Sequence, residues 1–145
     1  MTDLLIVCSP GGHFKEAQNL IFGLQHVKYK FVIHDLKIKS GFDFPIIDAP
    51  HMDRDWRLII QIFFAFNCLI RERPKVILST GASLAVSFFL VGRLLGIKTI
   101  YVESPTRVHT PSLTARIVRF LSNRLYVRYE SLQSKLPGSI FIKDL

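Results

Sequence analysis

Three short segments of this 145-residue chain combine glycine, hydroxyl-bearing and ionisable residues in patterns that suit ligand binding. They are Ser9-Pro10-Gly11-Gly12-His13, Ser79-Thr80-Gly81-Ala82-Ser83 and Glu103-Ser104-Pro105-Thr106-Arg107. Each follows a run of apolar residues typical of a buried strand, and the first two lead directly into segments with helical spacing. Exposed N–H groups and the positive dipole end at a helix start can hold an anion, while glycine lets a ligand approach the backbone. The first two segments therefore predict anion-binding loops, and the third places a carboxylate, Glu103, at the end of a buried strand.

His13 is the candidate proton acceptor in these loops. It is expected in the first turn of a helix, where the dipole disfavours the imidazolium, so a neutral ring could accept a proton or a hydrogen bond from a hydroxyl. The alternative is a tight turn that carries a surface histidine. Loop 9–13 matches neither the GxGxxG pattern nor a P-loop, which disfavours dinucleotide-binding and kinase-type functions.

The other two loops have structural alternatives as well. Loop 79–83 could cradle a phosphate, or its hydroxyl residues could simply cap a helix. Glu103 is expected at the end of a buried strand, a position where glutamate is rare unless it is paired or hydrogen-bonded. A structural ion pair with Arg107 or Arg116 is the alternative to a functional role.

The elements that must position these loops alternate along the chain. We predict helices over residues 14–26, 53–73, 83–95 and 112–122, and strands over 4–8, 29–34, 75–79, 98–103, 125–128 and 140–142, with a possible short strand at 46–47. This order predicts an α/β fold, a Rossmann-like parallel sheet with helices on both faces, in one domain over residues 1–145. Ligands of such sheets bind beyond the carboxyl ends of the strands, where the three loops would converge.

The composition narrows the classes of partner. The chain is 49% hydrophobic and carries 19 Lys+Arg against 11 Asp+Glu, a formal net charge of +8. This hydrophobicity excludes disorder, and its combination with positive charge favours an anionic membrane, a partner protein or a phosphate-bearing ligand. Nucleic acid is disfavoured because neither a binding module nor a stacking platform is present. Cys8 and Cys68 lack metal-ligand spacing, which predicts buried reduced thiols in a cytoplasmic protein, without a metal or cofactor.

The segment 53–73 is the candidate contact for a membrane or a partner. A spanning helix needs about 20 apolar residues, and the uncharged apolar stretches 58–70 and 80–92 are shorter. No signal peptide is recognised either. Segment 53–73 is nevertheless apolar on nearly every side, so its extra surface is expected to meet lipid or protein, the alternative being a fully internal core helix. The residues expected at that surface are Trp56, Ile59, Phe63, Phe66, Arg54 and Arg57.

The second apolar helix, 83–95, is expected in the core, with Gly92 allowing close packing. Farther along the chain, the stretch from Ser104 to Tyr129 is strongly basic, with no acidic residue. Its arginines suit a lipid diphosphate or anionic headgroups, whereas the alternative is a solvated helix face. They are Arg107, Arg116, Arg119, Arg124 and Arg128.

The combined motifs resemble a known family. The order Gly11-Gly12-His13, then 79–83, then Tyr101-Val102-Glu103-Ser104 and the helix and strand over 111–127, resembles the N-terminal acceptor domain of MurG-like GT-B glycosyltransferases. The similarity is closest to the stand-alone form of that half, found in PssD/CpsF-type polysaccharide biosynthesis proteins and in the Alg-fourteen-like family. In those systems a separate chain carries the donor half. The resemblance covers nearly the whole chain.

This resemblance implies a subunit of a two-chain glycosyltransferase for hexosyl or N-acetylhexosaminyl transfer, inactive without its partner. The pathway would be cell-surface polysaccharide synthesis, such as a capsule or exopolysaccharide, or lipid-linked oligosaccharide synthesis. This chain would bind the polyprenyl-diphosphate sugar acceptor as a peripheral protein on the cytoplasmic face of the membrane. Its heterodimer partner would bind the nucleotide sugar. The sequence lacks both a second nucleotide-binding half and the N-terminal span of the eukaryotic subunit, so attachment is expected elsewhere.

The resemblance also implies roles for individual residues. His13 would contact or activate the acceptor, and Glu103 would lie in the cleft near the partner. Two alternatives stay open: a non-catalytic scaffold that recruits the partner to the membrane, and a self-sufficient nucleotide-binding α/β enzyme. The expected acceptor-binding residues are Gly11, Gly12, Thr80, Gly81, Ala82, Ser104 and Arg107.

Overall fold

Strands and helices alternate in this computed structural model, which describes residues 1–24, 26–34, 44–50 and 58–143. The strands are β1 (Leu4–Cys8), β2 (Tyr29–His34), β3 (Ile46–Ala49), β4 (Val76–Gly81), β5 (Lys98–Val102), β6 (Arg124–Val127) and β7 (Ile140–Phe141). The helices are α1 (Gly12–Ile21), α2 (Leu58–Glu72), α3 (Leu84–Leu94), α4 (Leu113–Val118) and α5 (Glu130–Gln133).

The strands form one parallel sheet in the order β3-β2-β1-β4-β5-β6-β7. Central strand β1 lies between β2 and β4, where Leu4 pairs with Tyr29 on one side and Val76 on the other. All five β1 residues are apolar and buried, as a strand covered on both faces requires. The predicted Rossmann-like fold is therefore confirmed.

Helices cover the sheet on both faces because successive side chains of a strand point in opposite directions. Leu4, Ile6 and Cys8 share an apolar cluster with the buried side of α1. Leu5 and Val7 belong to the other cluster, together with residues of α2, α3 and α4. Strand β1 thus holds the two layers together, and α1 lies alone among the described helices on its face of the central strands.

Helix α3 packs tightly on the sheet, as predicted for a core helix. Phe88 and Phe89 are fully buried. A Cβ at Gly92 would lie 2.5 Å from the Cδ1 of Ile77 on β4, so a side chain there would require the Ile77 side chain to move. The expected close-packing role of Gly92 is confirmed.

Several boundaries differ from the sequence predictions. Helix α1 begins at Gly12, earlier than predicted, and ends at Ile21, before Gly23, a residue with low helix propensity. Leu24, which falls within the predicted helix 14–26, is outside the observed helix and 40% exposed. The first five residues of predicted helix 53–73 lie outside the described residues. Helix α5 is not predicted because four residues are too short to show helical periodicity.

Within the described residues, no helix combines the length and apolar character needed to cross a lipid bilayer.

Both cysteines are buried, and their thiols should resist modification while the chain is folded. Burial raises the pKa of Cys8 to about 12. Burial, followed by the negative charge of Glu72, raises the pKa of Cys68 to about 11. Because the thiolate is the reactive form, we expect negligible reaction with Ellman's reagent at pH 8 and reaction of two thiols in concentrated urea. Rapid labelling of the native chain would contradict this placement.

Candidate functional site

The three predicted loops line one cleft at the carboxyl ends of β1, β4 and β5. Its volume is about 450 Å³. It is bordered by Ser9, His13, His34, Gly81, Ala82, Ser83, Tyr101, Glu103, Ser104, Thr106, Arg107, Ser112, Leu113 and Thr114. The three loops thus meet at one edge of the sheet, as the order of strands and loops predicts. The cleft opens at that edge.

Hydrogen bonds join the first two loops directly. The Thr80 hydroxyl donates to the carbonyl oxygen of His13 at 2.8 Å. The Ser9 hydroxyl donates to the carbonyl oxygen of Gly81 at 3.2 Å, while the Gly81 N–H donates to the Ser79 Oγ at 3.3 Å. These bonds are possible because β1 and β4 are neighbours in the sheet. Thr80 is fully buried, so its hydroxyl holds His13 in place.

The imidazole ring of His13 lies against Gly81. A Cβ at position 81 would come within 2.6 Å of the His13 Cε1 and 2.8 Å of its Nδ1, and the φ of Gly81 is +128°. Glycine is therefore required here both for space and for backbone conformation. The His13 Nδ1 is buried and has no hydrogen-bond partner among the described residues.

The start of α1 carries the other two glycines of the first loop. Gly11 precedes the helix with a φ of +88° and forms no side-chain cap. Gly12 opens the helix, and both glycines are exposed and lie outside the cleft lining. Without a side-chain cap, the first N–H groups of α1 are left to water or to an anion. The predicted acceptor-binding role of the two glycines stays a prediction.

Glu103 organises the third loop. It is only 1% exposed. Its Oε1 accepts the Ser104 N–H at 3.0 Å, while its Oε2 accepts the Ser112 N–H at 2.9 Å and hydroxyl at 3.0 Å. Ser112 in turn caps α4, since its Oγ accepts the Ala115 N–H at 3.0 Å.

Glu103 therefore has a structural role through hydrogen bonds, and not through the ion pair that the sequence suggested as the alternative. Neither Arg107 nor Arg116 forms an ion pair with it in the described part of the chain. A carboxylate offers about four lone-pair sites, and the three hydrogen bonds use three of them. One lone-pair site on Oε1 is left without a hydrogen bond among those three, and Glu103 borders the cleft.

Tyr101 lies behind Glu103 and is fully buried. Its hydroxyl is 3.4 Å from the Ser112 Oγ. Burial, followed by the charge of Glu103, raises the pKa of Tyr101, so the phenol stays protonated and can donate. Neither Tyr101 nor Ser112 is among the predicted site residues, although Tyr101 belongs to the motif Tyr101-Val102-Glu103-Ser104 and lies near the end of β5.

Arg107 is exposed at the rim of the cleft. The loop that carries it is held by α5, whose Ser131 hydroxyl donates to the Val108 carbonyl at 2.5 Å. The Lys135 Nζ, just after α5, donates to the His109 carbonyl at 2.5 Å. A helix absent from the sequence prediction therefore helps to position a predicted site residue.

A buried ion pair lies beside the first loop. The Arg128 Nη2 donates to the Glu16 Oε1 at 2.9 Å, and the two side chains are 20% and 7% exposed. Burial raises the pKa of Glu16, the Arg128 hydrogen bond and charge oppose that shift, and the charge of Glu103 adds to it. The sequence analysis missed Glu16, although its spacing of three residues from His13 places both on one side of α1.

This ion pair corrects the interpretation of the basic stretch 104–129, because Arg128 is already engaged with Glu16. Arg119 lies over the ring of Phe120, with its Cζ 4.3 Å from the ring centroid. Arg107, Arg116 and Arg124 are exposed. Only some of the arginines of the basic stretch are thus exposed to solvent.

An apolar surface, made by one side of α2 and the end of α3, lies apart from the cleft. Ile59, Phe63 and Phe66 are 59%, 65% and 46% exposed. A groove of about 270 Å³ runs between α2 and α3 and is lined by Ile62, Phe63, Phe66, Val91, Leu94 and Leu95. The other predicted contact residues, Trp56, Arg54 and Arg57, lie outside the described residues. What this surface contacts stays a prediction.

The described residues include no group of His, Cys, Asp or Glu side chains that could hold a metal ion.

Comparison with known proteins gives a family match over most of the chain. Residues 47–145 match the family described as "Oligosaccharide biosynthesis protein Alg14 like". The mouse UDP-N-acetylglucosamine transferase subunit ALG14 is 35% identical over 89 residues, 57% of this chain and 41% of the mouse protein. The human protein of the same name is 26% identical over 175 aligned residues, 96% of this chain and 81% of the human protein. The chain thus spans less than half of the mouse relative.

Solved structures support the fold. The chain superposes on MurG from Acinetobacter baumannii with a TM-score of 0.73 and 13% identity, over 97% of this chain and 44% of that one. A UDP-GlcNAc 2-epimerase from Methanocaldococcus jannaschii gives a TM-score of 0.72 and 14% identity, over 92% and 41% of the two chains. At these identities the likeness concerns the fold alone.

The contact between His13 and Gly81 predicts a specific effect of Gly81→Ala. The new Cβ would clash with the imidazole and adopt an unfavourable φ, so we expect a loss of about 2–4 kcal/mol in the free energy of unfolding, measured by urea denaturation. Gly96→Ala is the matched control, since Gly96 has a φ of +73° but open space around it. Adding His13→Ala to Gly81→Ala should recover part of the loss; no recovery would mean that the clash is unimportant.

Proposed function

Because the chain belongs to the family of Alg14-like oligosaccharide biosynthesis proteins, we propose that it is one subunit of a two-chain glycosyltransferase. The family match is the observation that carries this proposal. The curated relatives are named as subunits of a UDP-N-acetylglucosamine transferase, which favours N-acetylglucosamine as the transferred sugar. In this proposal, residues 1–145 form the acceptor-binding domain and a partner chain binds the nucleotide sugar.

The acceptor in this proposal is a sugar linked to a polyprenyl diphosphate, in lipid-linked oligosaccharide or cell-surface polysaccharide synthesis. The size and chemistry of the cleft support it. About 450 Å³ accommodates a sugar with part of its phosphate. Arg107 at the rim supplies a cation for a phosphate oxygen. The uncapped start of α1 offers N–H groups and the positive end of the helix dipole. Ala82 and Ser104 line the space between them.

His13 is the proposed proton acceptor for the attacking hydroxyl. The acceptor oxygen would attack the anomeric carbon of the nucleotide sugar, and its proton would pass to the imidazole. The bond between the anomeric carbon and the phosphate oxygen would break, and the nucleoside diphosphate would leave on the partner chain. The fixed ring supports this role, because Gly81 and Thr80 hold His13 at the cleft wall before any ligand binds. Such prior positioning lowers the entropic part of the barrier.

Glu103 has a different proposed role. Three of its lone pairs bind the loop and the start of α4, so we propose that it shapes the cleft and offers its remaining lone pair to an acceptor hydroxyl.

A further part of the proposal concerns attachment to the cytoplasmic face of the membrane. The apolar surface of α2 and α3 is the observation that supports it. Exposed Phe63 and Phe66 side chains are costly in water and suit the interfacial region of a bilayer. A scaffold that only recruits the partner to the membrane would use the same surface. Substitutions of cleft residues therefore distinguish the two functions.

The catalytic proposal predicts that His13→Ala lowers sugar transfer by about 10²–10⁴-fold, the usual contribution of a general base. The assay combines the purified chain, its donor-binding partner, UDP-N-acetylglucosamine and a polyprenyl-diphosphate sugar. His26→Ala is the matched control, since His26 is exposed and outside the cleft. Full activity of the His13→Ala complex would leave the scaffold function as the better explanation.

The attachment proposal predicts that Phe63→Asp reduces co-sedimentation with anionic phospholipid vesicles several-fold, because a carboxylate would enter the apolar surface. Phe22→Asp serves as the control, since Phe22 is 91% exposed at the end of α1, outside that surface. If Phe63→Asp leaves sedimentation unchanged but weakens association with the donor-binding chain, the surface contacts the partner protein.

A further inference from the structure

We propose that Glu16 and Arg128 are the positioning pair of the cleft: together they hold α1 against the end of β6, so that His13 stays over Gly81. This inference rests on the proposed function for its activity readout and deepens it by adding two residues outside the cleft lining. Neither residue belongs to the motifs by which the family resemblance is recognised.

The first observation is where the pair lies in the fold. The residues are separated by 112 positions in sequence, and the ion pair links the only described helix on its face of the central strands to a strand three places from β1. Arg128 immediately follows β6, and the neighbouring strand β5 leads to Glu103. The pair therefore links α1, the helix that carries His13, to the end of β6, the strand next to the one that leads to Glu103.

The second observation concerns the contacts that hold the first turn of α1 in place. This turn carries His13, yet Gly11 provides no side-chain cap. The position of this turn depends on the Thr80 hydroxyl, on the contact between the His13 ring and Gly81, and on the orientation of the helix axis. Glu16, one turn further along, is the charged anchor on that side of the helix.

The third observation is that the pair contributes little to the free energy of unfolding. The Glu16 carboxylate is 7% exposed, and its burial raises its pKa despite Arg128. The Arg128 Nε is buried and has no hydrogen-bond partner in the described residues. Apolar side chains of similar volume often replace buried ion pairs without loss of stability. What an apolar pair lacks is the directed hydrogen bond that orients the helix.

The decisive experiment replaces the pair by Glu16→Met/Arg128→Leu in the full chain. We expect a thermal unfolding midpoint close to that of wild type, but altered imidazole resonances of His13 in ¹H–¹³C spectra, with assignment by His13→Ala. In the complex with the donor-binding chain, kcat should fall by about 10–100-fold, as for a small misplacement of a catalytic group, with the KM for the nucleotide sugar unchanged. Glu16→Gln keeps the hydrogen-bond acceptor and should stay within about threefold of wild type.

The Lys30–Glu72 ion pair at the opposite edge of the sheet is the matched control. Its atoms are 2.8 Å apart and its side chains are 37% and 12% exposed. Lys30→Met/Glu72→Met should leave the His13 resonances and kcat unchanged. If Glu16→Met/Arg128→Leu also leaves both unchanged, the pair is only structural and the inference is wrong.

A variant that fails to fold would still leave a test. Arg128→Lys keeps the charge but not the Nη2 donor geometry, so the inference requires shifted His13 resonances and reduced kcat, and wild-type values would overturn it. The spectra need only the isolated chain. A failure of the inference is therefore distinguishable from a failure of the proposed function, which would appear as full transfer by His13→Ala.

Discussion

The packing of the His13 imidazole against Gly81 is the contact on which the candidate site depends. It requires that β1 and β4 be adjacent, that both loops leave the same sheet edge and that position 81 lack a side chain. The hydrogen bond from Thr80 to the His13 carbonyl adds a second constraint at the same junction. A flexible surface histidine thereby becomes a fixed wall of the cleft, and fixed geometry is what catalysis by a side chain demands.

A second junction places the carboxylate. Glu103 is nearly inaccessible to water, and burial without partners would carry a large desolvation penalty. Backbone N–H groups and the Ser112 hydroxyl supply the missing partners. The same bonds fix the start of α4, so the charge and the shape of the cleft are set together. A change at Glu103 would therefore alter local structure as well as chemistry.

The polar cleft and the apolar α2–α3 surface divide the molecule into two regions with different chemistry. The cleft is bordered by hydroxyl-bearing side chains, by His13 and by Arg107. On α2, Phe63 and Phe66 remain exposed although the helix also buries Leu69 in the core. The polar cleft therefore lies at the carboxyl ends of the strands, and the exposed apolar side chains lie on α2 and α3.

The sequence by itself determined the alternation of strands and helices, the parallel sheet and the edge on which the loops meet, because apolar periodicity and glycine-rich turns are local signals. It also pointed to His13, Gly81 and Glu103. It could not show that Glu103 would bind Ser112 instead of an arginine. Nor could it show that Arg128, one of the arginines of the basic stretch, would form an ion pair with Glu16, 112 positions away in sequence. Such partnerships depend on which strand ends become neighbours. Only the tertiary structure decided them, because a buried charge takes whichever donor the packing brings within hydrogen-bond distance.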